Sequence, residues 1–410
     1  MDTLRKHVIQ TLFFLGAILL LGVFEKSLVS IAIYSVLIIF GALLIAWAAE
    51  SSEIIISEGL ALAIVAWLQV FPEFMIEATI AWARDIPNML SNFTGANRIL
   101  TGVGWPLVFF TTAFFSRRKN GKFPKEILLG KEHSAEVVFF LAATLYSVVI
   151  FFRDSLTVYD SVVMAALYVC YLFFVSRLPH LSRQKSGEML MGISKKVVSL
   201  KEKYIKPVIA LMFLLGGAII FFVADPFYNE ALLLSTSFGI STFLFIQWVA
   251  PFLSEFPEKT SAFYWASKID KAPMALMNLI SSKLTQWTLL MAMIPIVFSV
   301  SSGAISSIPL NTPIAGMGFT VSTELLLTIA TSFYASILLL KLRFTWIEAL
   351  SLFVLWLVQF IWVPARPAIV LVYLGLALIQ ILVYRKEVTR ALTGFKEIFL
   401  THVSKPKETA

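Results

Sequence analysis

Runs of about twenty apolar residues recur along the whole chain, and each is the length that an α-helix needs to cross hydrocarbon. Twelve such segments can be read, at 8–24, 28–49, 54–83, 87–115, 135–152, 157–178, 206–224, 230–267, 273–299, 321–341, 344–363 and 366–384. Inside a bilayer the backbone must satisfy its own hydrogen bonds, which leaves helices or closed barrels. A barrel would read as short alternating segments, so the chain is read as an all-α polytopic membrane protein. Composition agrees: of 410 residues, 59% are hydrophobic and 14% charged, whereas soluble domains carry roughly a quarter charged residues. No small-residue cleavage site follows 8–24, so that segment is expected to stay as a helix. A single cysteine, Cys170, excludes an internal disulfide and a Cys-rich metal centre.

A formal net charge of +8 raises the possibility of a nucleic-acid partner, but the placement of the charge gives a topological reason instead. With twelve crossings and both termini cytoplasmic in a cell membrane, the inside segments hold 26 of the 33 basic residues. The outer loops then keep only Lys26, Arg84, Arg153 and Arg366. Nucleic acid is therefore not expected as a partner; inorganic cations and the lipid bilayer are. The loop 177–205 is basic, with an apolar stripe through Met189, Met191, Ile193, Val197 and Leu200 that suits a helix lying on lipid.

Arg98, Lys259 and Lys283 fall within apolar segments, as do Glu58, Glu73, Glu77, Glu255 and Glu258. A charge there costs about 3 kcal/mol or more on insertion scales, so each needs a partner, a cavity or an ion. Two of these glutamates lie in a repeat. Phe71-Pro72-Glu73 recurs as Phe256-Pro257-Glu258, and Asn92 is matched by Asn278. The first copy lies on a segment leaving the cytoplasm and the second on one entering it. Segments two to six and seven to eleven thus form two inverted five-helix repeats, with one extra helix at each end. Inverted halves with broken helices meeting at the bilayer centre are the architecture of secondary transporters. The prolines are expected to free the carbonyls of Leu68 and Leu253.

Helical spacing puts Gln69 and Glu73 on one face, and Ser254 and Glu258 on the matching face, with Glu255 nearby. Carboxylates, amides such as Gln286, hydroxyls and freed carbonyls would supply the oxygens of a hard cation. All four histidines (His7, His133, His180, His402) fall in or near loops, which argues against zinc or copper.

The stretch 69–104, with Pro72-Glu73 and then Asn92-Phe93-Thr94-Gly95-Ala96-Asn97, resembles the first signature repeat of the sodium/calcium exchanger family. The stretch 247–287, opening on Gln247-Trp248-Val249-Ala250-Pro251-Phe252-Leu253-Ser254-Glu255-Phe256-Pro257-Glu258, resembles the second. The resemblance is to a divergent, prokaryotic-type member of this branch of the cation/calcium antiporter superfamily. It implies that Glu73 and Glu258 are the central metal ligands, with Gln69 and Ser254 as the amide and hydroxyl one turn earlier; Glu255, an extra carboxylate, Gln286 and Asn97 complete the expected metal-ligand set. It also implies exchange of Ca2+ for Na+ or H+ by alternating access, with transported ions and no cofactor. The chain departs from the family at Leu100, where an amide is usual, at Gln286, and at Lys283, where a small polar residue is usual.

The expected layout is an N-terminal membrane half at 1–176 with its exchanger repeat at about 54–115, then the basic cytoplasmic loop 177–205. A C-terminal half at 206–384 follows, with its repeat at about 230–299, and a basic tail at 385–410. Two alternatives stand beside the calcium antiporter. In one, Lys283 replaces a bound ion and the protein is a monovalent cation/proton antiporter. In the other it is a membrane-embedded enzyme, although no His-Glu-x-x-His or Gly-x-Ser-x-Gly motif is present.

Overall fold

A computed structural model describes residues 28–52, 70–130, 134–177, 192–389, 393 and 395. The expected helix at 8–24, Gln69, Glu58, Met189 and Met191, and most of the basic tail lie outside these residues. The described chain is helical, with fifteen α-helices. In order, α1 is Leu28–Ser52, α2 Phe71–Trp82, α3 Ile86–Ile99, α4 Trp105–Asn120 and α5 Ser134–Arg153. Next come α6 Val158–Arg177, the short α7 Gly192–Val198, α8 Glu202–Ser237, α9 Thr242–Ser254 and α10 Phe256–Ser267. The last five are α11 Ala272–Thr285, α12 Met291–Ser302, α13 Val321–Leu339, α14 Trp346–Ile361 and α15 Arg366–Val383.

Two helices are interrupted by one wide π-turn each: Leu100–Gly104 joins α3 to α4, and Gln286–Leu290 joins α11 to α12. Such insertions loosen the hydrogen-bond ladder without ending the helix, and they are frequent at functional sites. A non-helical residue immediately precedes α2 and α10. Val70 (φ −89°, ψ 2°) and Glu255 (φ −92°, ψ 4°) leave helical geometry in the same way, and a new helix starts at the next residue. Pro72 and Pro257 therefore stand in the first turn of a helix, where the missing N–H has no partner to lose. The prolines thus begin helices, whereas the freed carbonyls expected at Leu68 and Leu253 require prolines inside them; Leu68 itself lies outside the described residues.

Eight helical spans are long and apolar enough to cross a membrane among the described residues. They divide into two classes. The spans Ile86–Asn120, Ala272–Ser302 and Val321–Leu339 are 72%, 67% and 78% buried over their most apolar stretch, while Val363–Val383 is 28% buried. The first three form the interior, and the others turn apolar side chains outward, as a bilayer requires. The protein is thus a multi-pass membrane protein. Two boundaries differ from expectation. The helix expected to end at 224 runs on to Ser237, because Pro226 is accommodated inside it, and the following helix begins at Thr242 instead of 230. In the basic loop, Val197 of α7 belongs to an apolar cluster with Ala48, Ile209 and Met212, so protein rather than lipid receives that side.

Two short antiparallel strand pairs tie loops together. Glu126–Leu128 (β1) pairs with Arg343–Thr345 (β4), and Ser155–Leu156 (β2) with Ile308–Pro309 (β3). Thr345 and Glu348 close a reciprocal cap on α14, and Asp85 caps α3 by accepting from the Asn88 N–H at 3.2 Å.

The tightest crossing is between α3 and α9. A Cβ on Gly95 would lie 1.9 Å from the carbonyl oxygen of Gln247. No side chain can move to relieve that, so only glycine permits the approach. Gly95→Ala is expected to force the helices apart at a cost of about 1–3 kcal/mol or more. Gly375→Ala, with nothing within 4 Å of the new methyl group, should be neutral. Thermal unfolding in detergent compares the two; equal midpoints would refute the packing argument.

Candidate cation site

The interrupted helices converge on a group of buried polar side chains. Glu73 lies in the first turn of α2 and is 2% exposed. Glu258 lies in the first turn of α10, and Glu255 in the break before it. Carboxylates are well placed there, since a helix N-terminus carries partial positive charge. Gln286, at the start of the second π-turn, joins two of the three. Its amide nitrogen donates to Glu73 Oε2 at 2.8 Å and to Glu255 Oε1 at 2.8 Å. The other oxygen of Glu255 pairs with Lys259 one turn on. Glu258 Oε2 accepts from the Ser282 hydroxyl at 2.8 Å.

The remaining expected residues fall as follows. Ser254 ends α9 and bonds weakly to its own helix at the Pro251 carbonyl, 3.4 Å away. It also lines a small cavity of about 20 Å³ beside Glu258, with Glu50, Ser261 and Asn278. Asn97 and Lys283 meet. The Lys283 ammonium donates to the Asn97 carbonyl at 2.7 Å and to Asn97 Oδ1 at 3.3 Å, over the ring of Phe140. Lys283 is fully buried, and among the described residues it forms no ion pair with the glutamates. Among the described residues, no three Asp, Glu, His or Cys side chains come together closely enough to hold one metal ion by themselves. The other oxygens near the glutamates belong to amides and hydroxyls. Glu73 Oε1 and Gln286 Oε1 are buried without a hydrogen-bond donor.

A second buried polar group was missed by sequence reasoning. Glu324, on α13, accepts from the guanidinium of Arg366 at 2.7 Å and pairs with Arg98 on its other oxygen. Gln247 donates to Glu324 at 2.9 Å, Arg98 donates to Gln359 Oε1 at 2.9 Å, and both arginines face the ring of Trp248. Arg366 was expected in an outer loop; it is fully buried, because Glu324 compensates its charge. Glu324 escaped notice for a related reason, since it sits four residues into its apolar segment, where polar residues are common. The group ties α3, α9, α13, α14 and α15 together. Glu324→Gln would leave two guanidiniums without a carboxylate, and breaking a buried ion pair costs about 3–5 kcal/mol. A marked fall in the unfolding midpoint is expected; an unchanged midpoint would show that the pairing is not structural.

The chain matches the family model described as sodium/calcium exchanger protein over residues 9–177 and 208–363. No curated protein sequence matches it significantly. Among solved structures, the crystal structure of the H+/Ca2+ exchanger CAX is 30% identical, with a TM-score of 0.84 and 95% of each chain covered. The sodium-calcium exchanger NCX_Mj, in a crystal soaked with Na+ and no Ca2+, is 14% identical, with a TM-score of 0.54 over 82% of this chain and 99% of that one. Native YfkE is 16% identical, with a TM-score of 0.52 over 85% and 95%. At that identity the last two show likeness of fold alone. The family match spans most of the sequence and the first structure matches nearly all of it, so this chain belongs to the sodium/calcium exchanger family.

Proposed function

We propose that the protein is a secondary antiporter that exchanges Ca2+ for protons by alternating access, with Glu73 and Glu258 as the central cation ligands. The observation that carries this reading is the pairing of two Pro-Glu carboxylates at the starts of two broken helices. They stand beside buried oxygens, Glu73 Oε1 and Gln286 Oε1, that have no donor. Unmatched acceptors in a low-dielectric interior call for a cation or a proton. Glu255, Gln286 and Ser254 are the neighbouring oxygen sources; Asn97, held by Lys283, and Gln69, outside the described residues, are the further candidates from the sequence.

Formal charge points to the divalent ion. The central set of Glu73 and Glu255 on Gln286, Glu258 on Ser282, and Lys259 paired to Glu255 carries a formal excess of two negative charges when all are ionised. One Ca2+ or two protons would balance it, and interconversion of those two states is what proton-coupled exchange needs. The CAX exchanger, the relative with 30% identity, is an H+/Ca2+ exchanger by description. Lys283 bears on the choice between proton and sodium, because its ammonium occupies the two Asn97 oxygens that a small cation would use. The same contact favours a second reading, a monovalent cation/proton antiporter in which Lys283 stands in for one bound ion.

The layout proposed is two inverted five-helix repeats in membrane halves 1–176 and 206–384, flanked by one extra helix at each end. The loop 177–205, the tail 385–410 and both termini lie on the cytoplasmic side of the cell membrane. Reciprocal packing supports it: α2 packs on α12, and α10 packs on α4. Transported ions are its ligands, and no resident cofactor or catalytic chemistry is assigned.

Glu73→Gln and Glu258→Gln should each reduce Ca2+ flux in proteoliposomes to background while the protein still inserts. Normal transport by both would reject the ligand assignment. Flux driven by a pH gradient but not by a sodium gradient is expected of the wild type. Lys283→Ser should raise the calorimetric Ca2+ affinity, and equal affinities would reject ion replacement. Cysteines at Arg117 and Lys195 should label from one side, and those at Asn229 and Ser306 from the other.

A further inference from the structure

One turn beyond Glu73 along α2, about 6 Å at the helical rise, lies Glu77, which is fully buried. Asn92 of α3 donates its amide to Glu77 Oε2 at 2.6 Å. The other oxygen of each partner, Glu77 Oε1 and Asn92 Oδ1, is buried and has no donor. With Glu77 ionised both oxygens are acceptors, so neither can satisfy the other, and each is costly in a dry interior until a proton or a cation joins them.

The next turn of α3 repeats the pattern. Asn88 Oδ1 is also buried without a donor, while the Asn88 amide donates to Asp85 Oδ2 at 2.8 Å. Asp85 is half-buried in the turn between α2 and α3 and also accepts from Tyr228 at 2.7 Å. Unmatched oxygens therefore run from Glu73, through Glu77 and Asn92, to Asn88 beside that turn. No unmatched donor is found among these four side chains. A partner that supplies only positive charge fits such a series, whereas an anion or an apolar molecule does not.

We propose that Glu77 and Asn92 form a second cation position, which takes Ca2+ in transit between the α2–α3 turn and Glu73. It is a feature of one half only, since the residue corresponding to Glu77 in the second Phe-Pro-Glu copy is Ala262. The two access routes to the central carboxylates are thus unlike, and a ligand pair serves the route on the α2–α3 side alone. The inference rests on the antiporter reading above, and the experiment keeps the two apart.

Glu77→Gln removes the charge but lets the new amide donate to Asn92 Oδ1, filling an orphan. The variant should therefore unfold at the wild-type temperature or above it. In oriented vesicles its half-saturating Ca2+ should rise at least about tenfold from the α2–α3 face, the loss of one charged contact. From the opposite face it should be unchanged. Equal half-saturation on both faces, whatever happens to the pH dependence, would overturn the proposal. So would a lower unfolding temperature, which is the mark of a merely structural glutamate. Asn92→Asp provides a second test by placing two carboxylates at the position. Ca2+ should raise its unfolding temperature by more than it raises that of the wild type, and an equal rise counts against the site. Glu73→Gln tests the parent reading separately, because its transport should be lost from both faces.

Discussion

The amide nitrogen of Gln286, 2.8 Å from a carboxylate oxygen of Glu73 and of Glu255, joins the two halves of the interior through one group. Glu73 belongs to the helix that starts at Phe71, after the non-helical Val70, and Glu255 occupies the position corresponding to Val70 185 residues later, in the break between α9 and α10. The amide itself sits on a π-turn, where the helical ladder is already loosened. Three interruptions of regular structure thus meet at one nitrogen. A continuous helix at any of them would carry its side chain elsewhere, and a non-polar residue at 286 would leave two buried carboxylates facing each other with nothing between.

The rest of the interior follows the same rule, that charge taken out of water must be matched locally. Lys259 meets Glu255, Lys341 meets Glu348, and Glu324 meets two arginines. Lys283 is not so matched, being held by a carbonyl, an amide oxygen and an aromatic face instead of a carboxylate, and Glu73, Glu77 and Glu258 likewise meet neutral donors. Buried acceptors without donors cluster along α2, α3 and the second π-turn, at Glu73, Glu77, Asn88, Asn92 and Gln286, although Gln247 and Gln380 carry one each elsewhere.

Much of this was legible in the chain. The apolar runs located the helices, and the two Phe-Pro-Glu copies located the breaks, because both signals depend on local spacing. Glu255 and Lys259, four residues apart, could be paired on sight. What could not be read is contact between distant segments. Nothing in the sequence brings Arg98 to Glu324 or Arg366 into the interior, and rules of membrane topology treat a basic residue beside an apolar run as exposed. The prolines were misread for a different reason: a proline inside an apolar run fits both a kink and a helix start, and only backbone geometry distinguishes them. Gly95 carried a signal in retrospect, since its helix allows no other residue at the crossing with Gln247.

The length of α8 has a consequence of another kind. Its 36 residues amount to about 54 Å of helix, against about 30 Å of hydrocarbon. It must lean or overhang, and it does so while packed along α1 through Gly41 and Gly216, where added methyl groups would come within 2.8 Å and 2.7 Å of neighbouring atoms. Phe221 and Phe222 face outward on the same helix. The uncharged stretch between Lys206 and Asp225, 207–224, is about 27 Å long, close to the hydrocarbon thickness, so the surplus of the rod stands beyond the film and carries its exposed charges into the headgroups.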